Sequence, residues 1–202
     1  RAEGRVALQP IRRLSISQYE NTLRALFPGA LGGELVSRAH YPGASTRTGL
    51  AAGFSSDSDT NTVGTSDEVN LEDNAEALAE YLLTNARTAI PALMPCSLPA
   101  TFTDAQVDAC IDTFITQFGR RAFRRPVRAA EQTSIRRAYD TVRMTQSASE
   151  AWATVMQYFL QAPALLYRAE AGAGSTGLVD LTPLELATRL SFFVTDAPPD
   201  AE

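Results

Sequence analysis

The chain contains no lysine: all 18 of its basic residues are arginine. Set against 23 acidic residues, they leave a net charge of −5. A chain of that sign is not built for nonspecific binding to nucleic acid, which needs a basic face. Histidine is almost as scarce. His40 is the only one, and it sits in a Gly/Pro-rich segment beside Tyr41. A Ser-His-Asp or Cys-His centre would have to use it, and those surroundings argue against one. No apolar run reaches the roughly 18 residues that cross a membrane. The sequence has no Cys-x-x-Cys-His, so this chain holds no covalent haem. It also lacks a Gly-rich phosphate loop and a nucleophile elbow.

Cysteine occurs twice, at Cys96 and Cys110. With no histidine near either, they make a poor metal site. Pairing them in a disulfide implies an oxidising compartment, and closing a loop of that size stabilises a fold by about 3 kcal/mol in the chain-entropy model. The competing reading is two reduced core cysteines. The expectation taken forward is the disulfide.

What is present is ordinary for a globular chain, with 45% hydrophobic and 20% charged residues in 202. Helix signals dominate. Ser15 to Gln18 and Ser17 to Glu20 form overlapping capping boxes ahead of Tyr19, Leu23 and Leu26, and Pro28-Gly29 should end that helix near Phe27. A second helix is expected from about Asn70 to Ile90, stopped by Pro91. A third starts at the Thr103–Gln106 box, buries Phe114 among others and stops at Gly119. A fourth spans about Ala129 to Met144. A fifth opens with the Ser147–Glu150 box, carries Trp152 and Phe159, and ends before Pro163. A sixth opens at Thr182-Pro183-Leu184-Glu185, with threonine as cap, proline at the first helical position and glutamate closing the box. The aromatics Tyr19, Phe114, Phe123, Trp152, Phe159 and Phe192 fall at apolar positions and are expected in the core.

The reading is therefore an all-α fold of about six helices with a long ordered loop at 29–66. It divides into an N-terminal helix and loop (1–66), a helical core with an arginine-rich segment (67–170), and a Gly/Ala/Ser linker leading into a further helical domain (171–202).

Two motifs carry candidate chemistry. The loop offers oxygen ligands in EF-hand order at Asp57, Asp59, Asn61, Val63 (carbonyl), Thr65 and Glu68. Calcium needs six to eight such oxygens. The pattern departs at the sixth position, where Thr62 replaces glycine, and the plain alternative is a polar loop held by Asx turns. The second motif is Arg120, Arg121, Arg124 and Arg125, interleaved with Ala122 and Phe123 and closed by Pro126. Guanidinium forks bind phosphate, sulfate or carboxylate. The alternative is that they pair with internal carboxylates, Glu170, Glu185 and Asp196 being the candidates, and with helix C-termini.

Four blocks, Arg12-Arg13-Leu14-Ser15 with Gln18-Tyr19-Glu20-Asn21-Thr22, then Phe118–Pro126, Ala162–Glu170 and Leu184–Phe193, resemble a family of large secreted proteins of planctomycetes and myxobacteria. The domains of that family were named as of unknown function, and some members are fused to cytochrome c. The pattern departs after Phe193, where Val194-Thr195 stand in place of a tryptophan-containing stretch. The resemblance implies an exported protein, periplasmic or extracellular, with further domains after residue 202; it supplies no catalytic residues. Two functions compete. One is a noncatalytic structural or assembly module whose partner is the remainder of the same protein or another subunit. The other is the N-terminal part of a secreted enzyme, redox-linked or acting on polysaccharide, with its centre completed beyond residue 202. Phe192 and Phe193 bear on the first. Adjacent on a helix, they point about 100° apart, so one can face this chain while the other requires a partner surface.

Overall fold

A computed structural model describes residues 5–7, 11–41, 65–170, 172 and 178–200. Among these it is all-α, with nine helices and two short two-stranded ribbons. The helices are α1 (Ile16–Leu26), α2 (Ala30–Arg38), α3 (Thr65–Thr84), α4 (Ala86–Leu93), α5 (Asp104–Phe123), α6 (Ala129–Arg143), α7 (Ala148–Gln161), α8 (Pro163–Leu166) and α9 (Pro183–Thr195). Strands β1 (Arg5–Ala7) and β4 (Leu178–Asp180) pair antiparallel, as do β2 (Arg12–Arg13) and β3 (Tyr167–Arg168). No helix among the described residues is long and apolar enough to cross a membrane.

Four capping boxes set helix starts where the sequence places them: Ser15 with Gln18, Thr103 with Gln106, Ser147 with Glu150, and Thr182 with Glu185. In each, the third helical side chain accepts the cap residue's backbone N–H, which pairs a polar group the helix itself leaves over.

The count of six is corrected to nine. The stretch 29–66 is not one loop, because 30–38 forms α2. That helix enters at Gly29, whose φ of 59° suits glycine, and Gly32 passes so near the Phe27 carbonyl that a Cβ would stand 2.6 Å from it. The single helix expected over 70–90 is two. It breaks at Asn85, whose Nδ2 donates to the Tyr81 carbonyl (2.8 Å), and α4 then runs through Pro91 to Leu93. The one-turn α8 is the remaining addition.

α7 is the centre of the packing, lying against α3, α5, α6 and α8. Its Trp152, Val155, Met156 and Phe159 have no exposed surface. Phe159 meets the rings of Phe118 (5.2 Å between centroids), Phe123 (5.4 Å) and Phe114 (6.4 Å). Phe114 also tilts against Trp152. Each such fully buried side chain contributes about 1.5–3 kcal/mol of burial. Tyr19, Phe114, Phe123, Trp152, Phe159 and Phe192 are all in the core, as expected. Cys96 and Cys110 are joined in a disulfide, with their Cα atoms 6.2 Å apart. It ties the segment between α4 and α5 to the second turn of α5.

Candidate functional site

The arginine-rich segment does not begin after a helix; its first half is helix. α5 runs through Gly119 and ends at Phe123. Gly119 is a packing position, where the backbone crosses Val127 and the Phe159 ring too closely for any side chain. Arg124 then adopts the left-handed conformation, φ 55° and ψ 22°, which ends α5 while its side chain lies against α8. From there its buried guanidinium reaches four backbone carbonyls: Ala164 (2.8 Å), Tyr167 (2.8 Å), Leu165 (3.2 Å) and Ala122 (3.2 Å). A cation placed on the free carbonyls at two helix ends satisfies orphan acceptors and opposes both helix dipoles. Burial, together with the neighbouring Arg168 and Arg125 charges, pulls the Arg124 guanidinium down to about 10.

The other three arginines divide. Arg121 donates to the Ala25 carbonyl at the end of α1. Arg125 forms a two-pronged bridge to Glu131 (2.7 and 2.9 Å). That contact raises the Arg125 pKa and holds the Glu131 carboxyl below the usual range. Arg120 is exposed. The carboxylate expected for this segment is thus Glu131, not Glu170, Glu185 or Asp196. Glu170 bonds Arg189 (2.9 Å), Glu185 closes the α9 capping box, and Asp196 accepts from the Ser17 hydroxyl (2.6 Å).

Beside this segment opens a groove of about 780 Å³. One wall is the α5–α6 junction, with Phe123, Arg124, Arg125, Arg128 and Glu131. Another wall is the start of α9, with its cap Thr182 and with Leu184 and Glu185. The floor is Tyr158, Pro163 and the β3 residues Tyr167 and Arg168, with Ile11 at the rim. The antiparallel pairing of β2 with β3 fixes Arg168 there, opposite Arg12. Of the four sequence-predicted arginines, only Arg124 and Arg125 line the groove. Arg128 and Arg168 do so too, and the motif reading left them out.

Away from the groove, an arginine–aspartate ladder joins α5 to α6. Asp104, Asp108 and Asp112 lie one turn apart on α5. Arg143 binds Asp104 (3.2 Å) and Asp108 (3.0 Å), while Arg136 binds Asp112 (2.8 Å) and Asp140 (3.0 Å). These carboxylates are neutralised by guanidinium groups. Among the described residues no group of three His, Cys, Asp or Glu side chains is placed to hold a metal. In the calcium motif, Asp57, Asp59, Asn61 and Val63 lie outside the described residues, and Thr65 and Glu68 fall in the first turn of α3. His40 is exposed after α2; its backbone N–H donates to Asn74 (2.7 Å), and among the described residues its ring makes no bond to a carboxylate or nucleophile.

The α9 helix is attached by polar contacts and one aromatic ring. Glu185 accepts the Gly172 N–H (3.1 Å), Arg189 bonds Glu170, and Phe192 is 3% exposed. The guanidinium carbons of Arg168 and Arg124 stand 5.2 and 5.7 Å from the Phe192 ring centroid. On the next position, Phe193 is 86% exposed.

Residues 110–170 match the model of a family described as PSD5, protein of unknown function (DUF1595). The matched stretch begins at the disulfide's Cys110 and ends two residues past Arg168. It therefore holds the floor and one wall of the groove. No curated protein and no solved structure matches the chain.

Proposed function

We propose that the chain is a noncatalytic assembly module of an exported multidomain protein, and that α9 is the element that joins it to its partner. The observation that carries this is the inverted polarity of α9. Its inner positions hold Glu185, Arg189 and the single buried ring of Phe192. Its outer positions Leu186, Leu190, Phe193 and Val194 follow the spacing of an apolar helix stripe, and Leu190, Val194 and Phe193 are 54, 74 and 86% exposed. A helix normally turns such a stripe inward. Here it faces away from the core, so burial of the stripe has to come from another folded surface: the remainder of the same protein or another subunit. The disulfide supports export, since such bonds persist in oxidising compartments.

Size-exclusion chromatography with light scattering tests the reading. Natural material should elute at more than 21.8 kDa, and where the covering surface is another subunit, Phe193→Glu with Leu190→Glu should release a folded species of lower mass. Natural material that is a 21.8 kDa monomer, unchanged in mass by the double substitution, overturns it.

The second reading, part of a secreted enzyme, rests on the groove. Among the described residues, the groove walls bring arginine and capped or bridged glutamate to it, but no histidine or cysteine.

A further inference from the structure

Among the described residues, no carboxylate touches the buried cation of Arg168; the charges of Glu170 and Asp196 favour it only from beyond contact distance. Arg168 is 9% exposed. Its Nε is fully buried and has no hydrogen-bond partner. Among the described residues its guanidinium makes no ion pair within 4.0 Å, and the ring it stands over is that of Phe192. The carboxylates of this region make their contacts elsewhere: Glu170 with Arg189, Glu131 with Arg125, Asp196 with the Ser17 hydroxyl, and Glu185 with its helix cap. Arg124, which shares the Phe192 ring, is also buried and bonds only neutral carbonyls. Arg128 adds a third positive charge at the α6 end of the same groove. An unpaired charge held out of water is among the most expensive features a fold can keep. An anion bound in the groove would supply the close partner that the fold does not.

The shape of the groove narrows the choice. Its volume of about 780 Å³ lies inside the roughly 300–1,000 Å³ range of small-molecule sites. Most of its surface is apolar, supplied by Ile11, Phe123, Tyr158, Pro163, Tyr167 and Leu184. A bare inorganic anion would satisfy the guanidinium and leave these walls wet. We infer that the groove binds an amphipathic organic anion, whose carboxylate pairs with Arg168 and whose apolar body lies along the walls between α8 and α9. The inference is independent of the outer face of α9, so either can fail without the other.

Calorimetric titration of the 202-residue chain with octanoate, 1-octanol and inorganic sulfate tests it. Octanoate should bind saturably, at least tenfold tighter than octanol, and sulfate should bind at least tenfold more weakly than octanoate. Arg168→Met keeps length and apolar contact while removing the charge. It should lose at least tenfold in octanoate affinity with no fall in the Tm of the free protein, because it relieves an unpaired charge. Arg120→Met, outside the groove, should bind as wild type. Equal affinity for octanoate and octanol overturns the inference, as does the absence of saturable octanoate binding. A lower Tm for Arg168→Met with octanoate affinity unchanged also overturns it, since that is the signature of a residue serving the fold alone. The wild-type comparison decides the matter even if the variant does not fold.

Discussion

Gly119 and Val127 stand so close that no side chain fits between them. A Cβ built on Gly119 collides with Val127 Cγ2 and lies 3.0 Å from Cε1 of Phe159. This contact seats the α5–α6 junction on α7, and the junction is the wall of the groove that carries Arg124 and Arg125.

Gly119→Ala should therefore destabilise the protein, even though alanine is the better helix residue. The substitution gains about 1 kcal/mol of helix propensity. Overpacking against a stiff β-branched side chain and a ring costs about 1–3 kcal/mol. The expected net loss is about 1 kcal/mol, a fall in Tm of about 2–4 °C for a chain of this length. Adding Val127→Ala should recover part of the loss, because the two sites are coupled. Thermal denaturation of both single variants and the double variant measures it; strictly additive effects would refute the contact.

Arg124 joins the ends of two helices, and its replacement should show two separable effects. Arg124→Ala removes the guanidinium donors that reach the Ala164, Leu165 and Tyr167 carbonyls. Leaving these acceptors without their charged partner should cost about 3 kcal/mol. Arg124→Gly loses the same bonds but takes the left-handed backbone without steric cost, so it should be about 1 kcal/mol more stable than the alanine variant. Lysine should not rescue either, because a single ammonium cannot span carbonyls that a planar fork reaches together. Urea denaturation of the three variants checks the order, which is lost if Arg124 is merely a surface cation.

The sequence makes some of this legible and hides the rest for identifiable reasons. Capping is local chemistry, so the boxes at Ser15, Thr103, Ser147 and Thr182 mark helix starts from four residues alone. The split between Phe192 and Phe193 follows from helix geometry in the same way. α2 was hidden because Gly29, Gly32 and Gly33 read as a loop; two of them are there for backbone conformation and close approach. Gly119 misled in the opposite sense, since a glycine that ends a helix and a glycine that admits a neighbouring chain look identical in one dimension. Asn85 breaks a helix by bonding back to Tyr81, a choice no propensity forces. The Asp104, Asp108 and Asp112 spacing could have announced the ladder, with Arg136 and Arg143 as its partners. The groove could not be seen. Arg168 and Arg124 are 44 positions apart, and only the β2–β3 pairing and the short α8 bring them to one ring.

The Arg125–Glu131 bridge makes stability depend on pH in a direction that can be stated. The Arg125 fork, opposed by partial burial and aided by the Arg128 N–H (2.8 Å), holds the Glu131 carboxyl below its ordinary value. A carboxyl whose pKa is lower in the folded protein than in the unfolded chain contributes stability that is complete above the unfolded value, about 4.3. That contribution is lost as the pH falls through the folded value. Wild type should exceed Glu131→Gln by about 1 kcal/mol at pH 7, the scale of a well-formed, partly buried bridge. The gap should hold down to about pH 5 and close progressively below that, as Glu131 takes up its proton and the two proteins become alike at this position. Other lowered carboxyls, Asp108 and Glu150 among them, titrate in both proteins and cancel in the difference. Tm measured for the pair from pH 7 to pH 3 gives the curve directly. A gap that stays constant across that range would show that Glu131 supports α6 only as a neutral cap, with no contribution from its charge against Arg125.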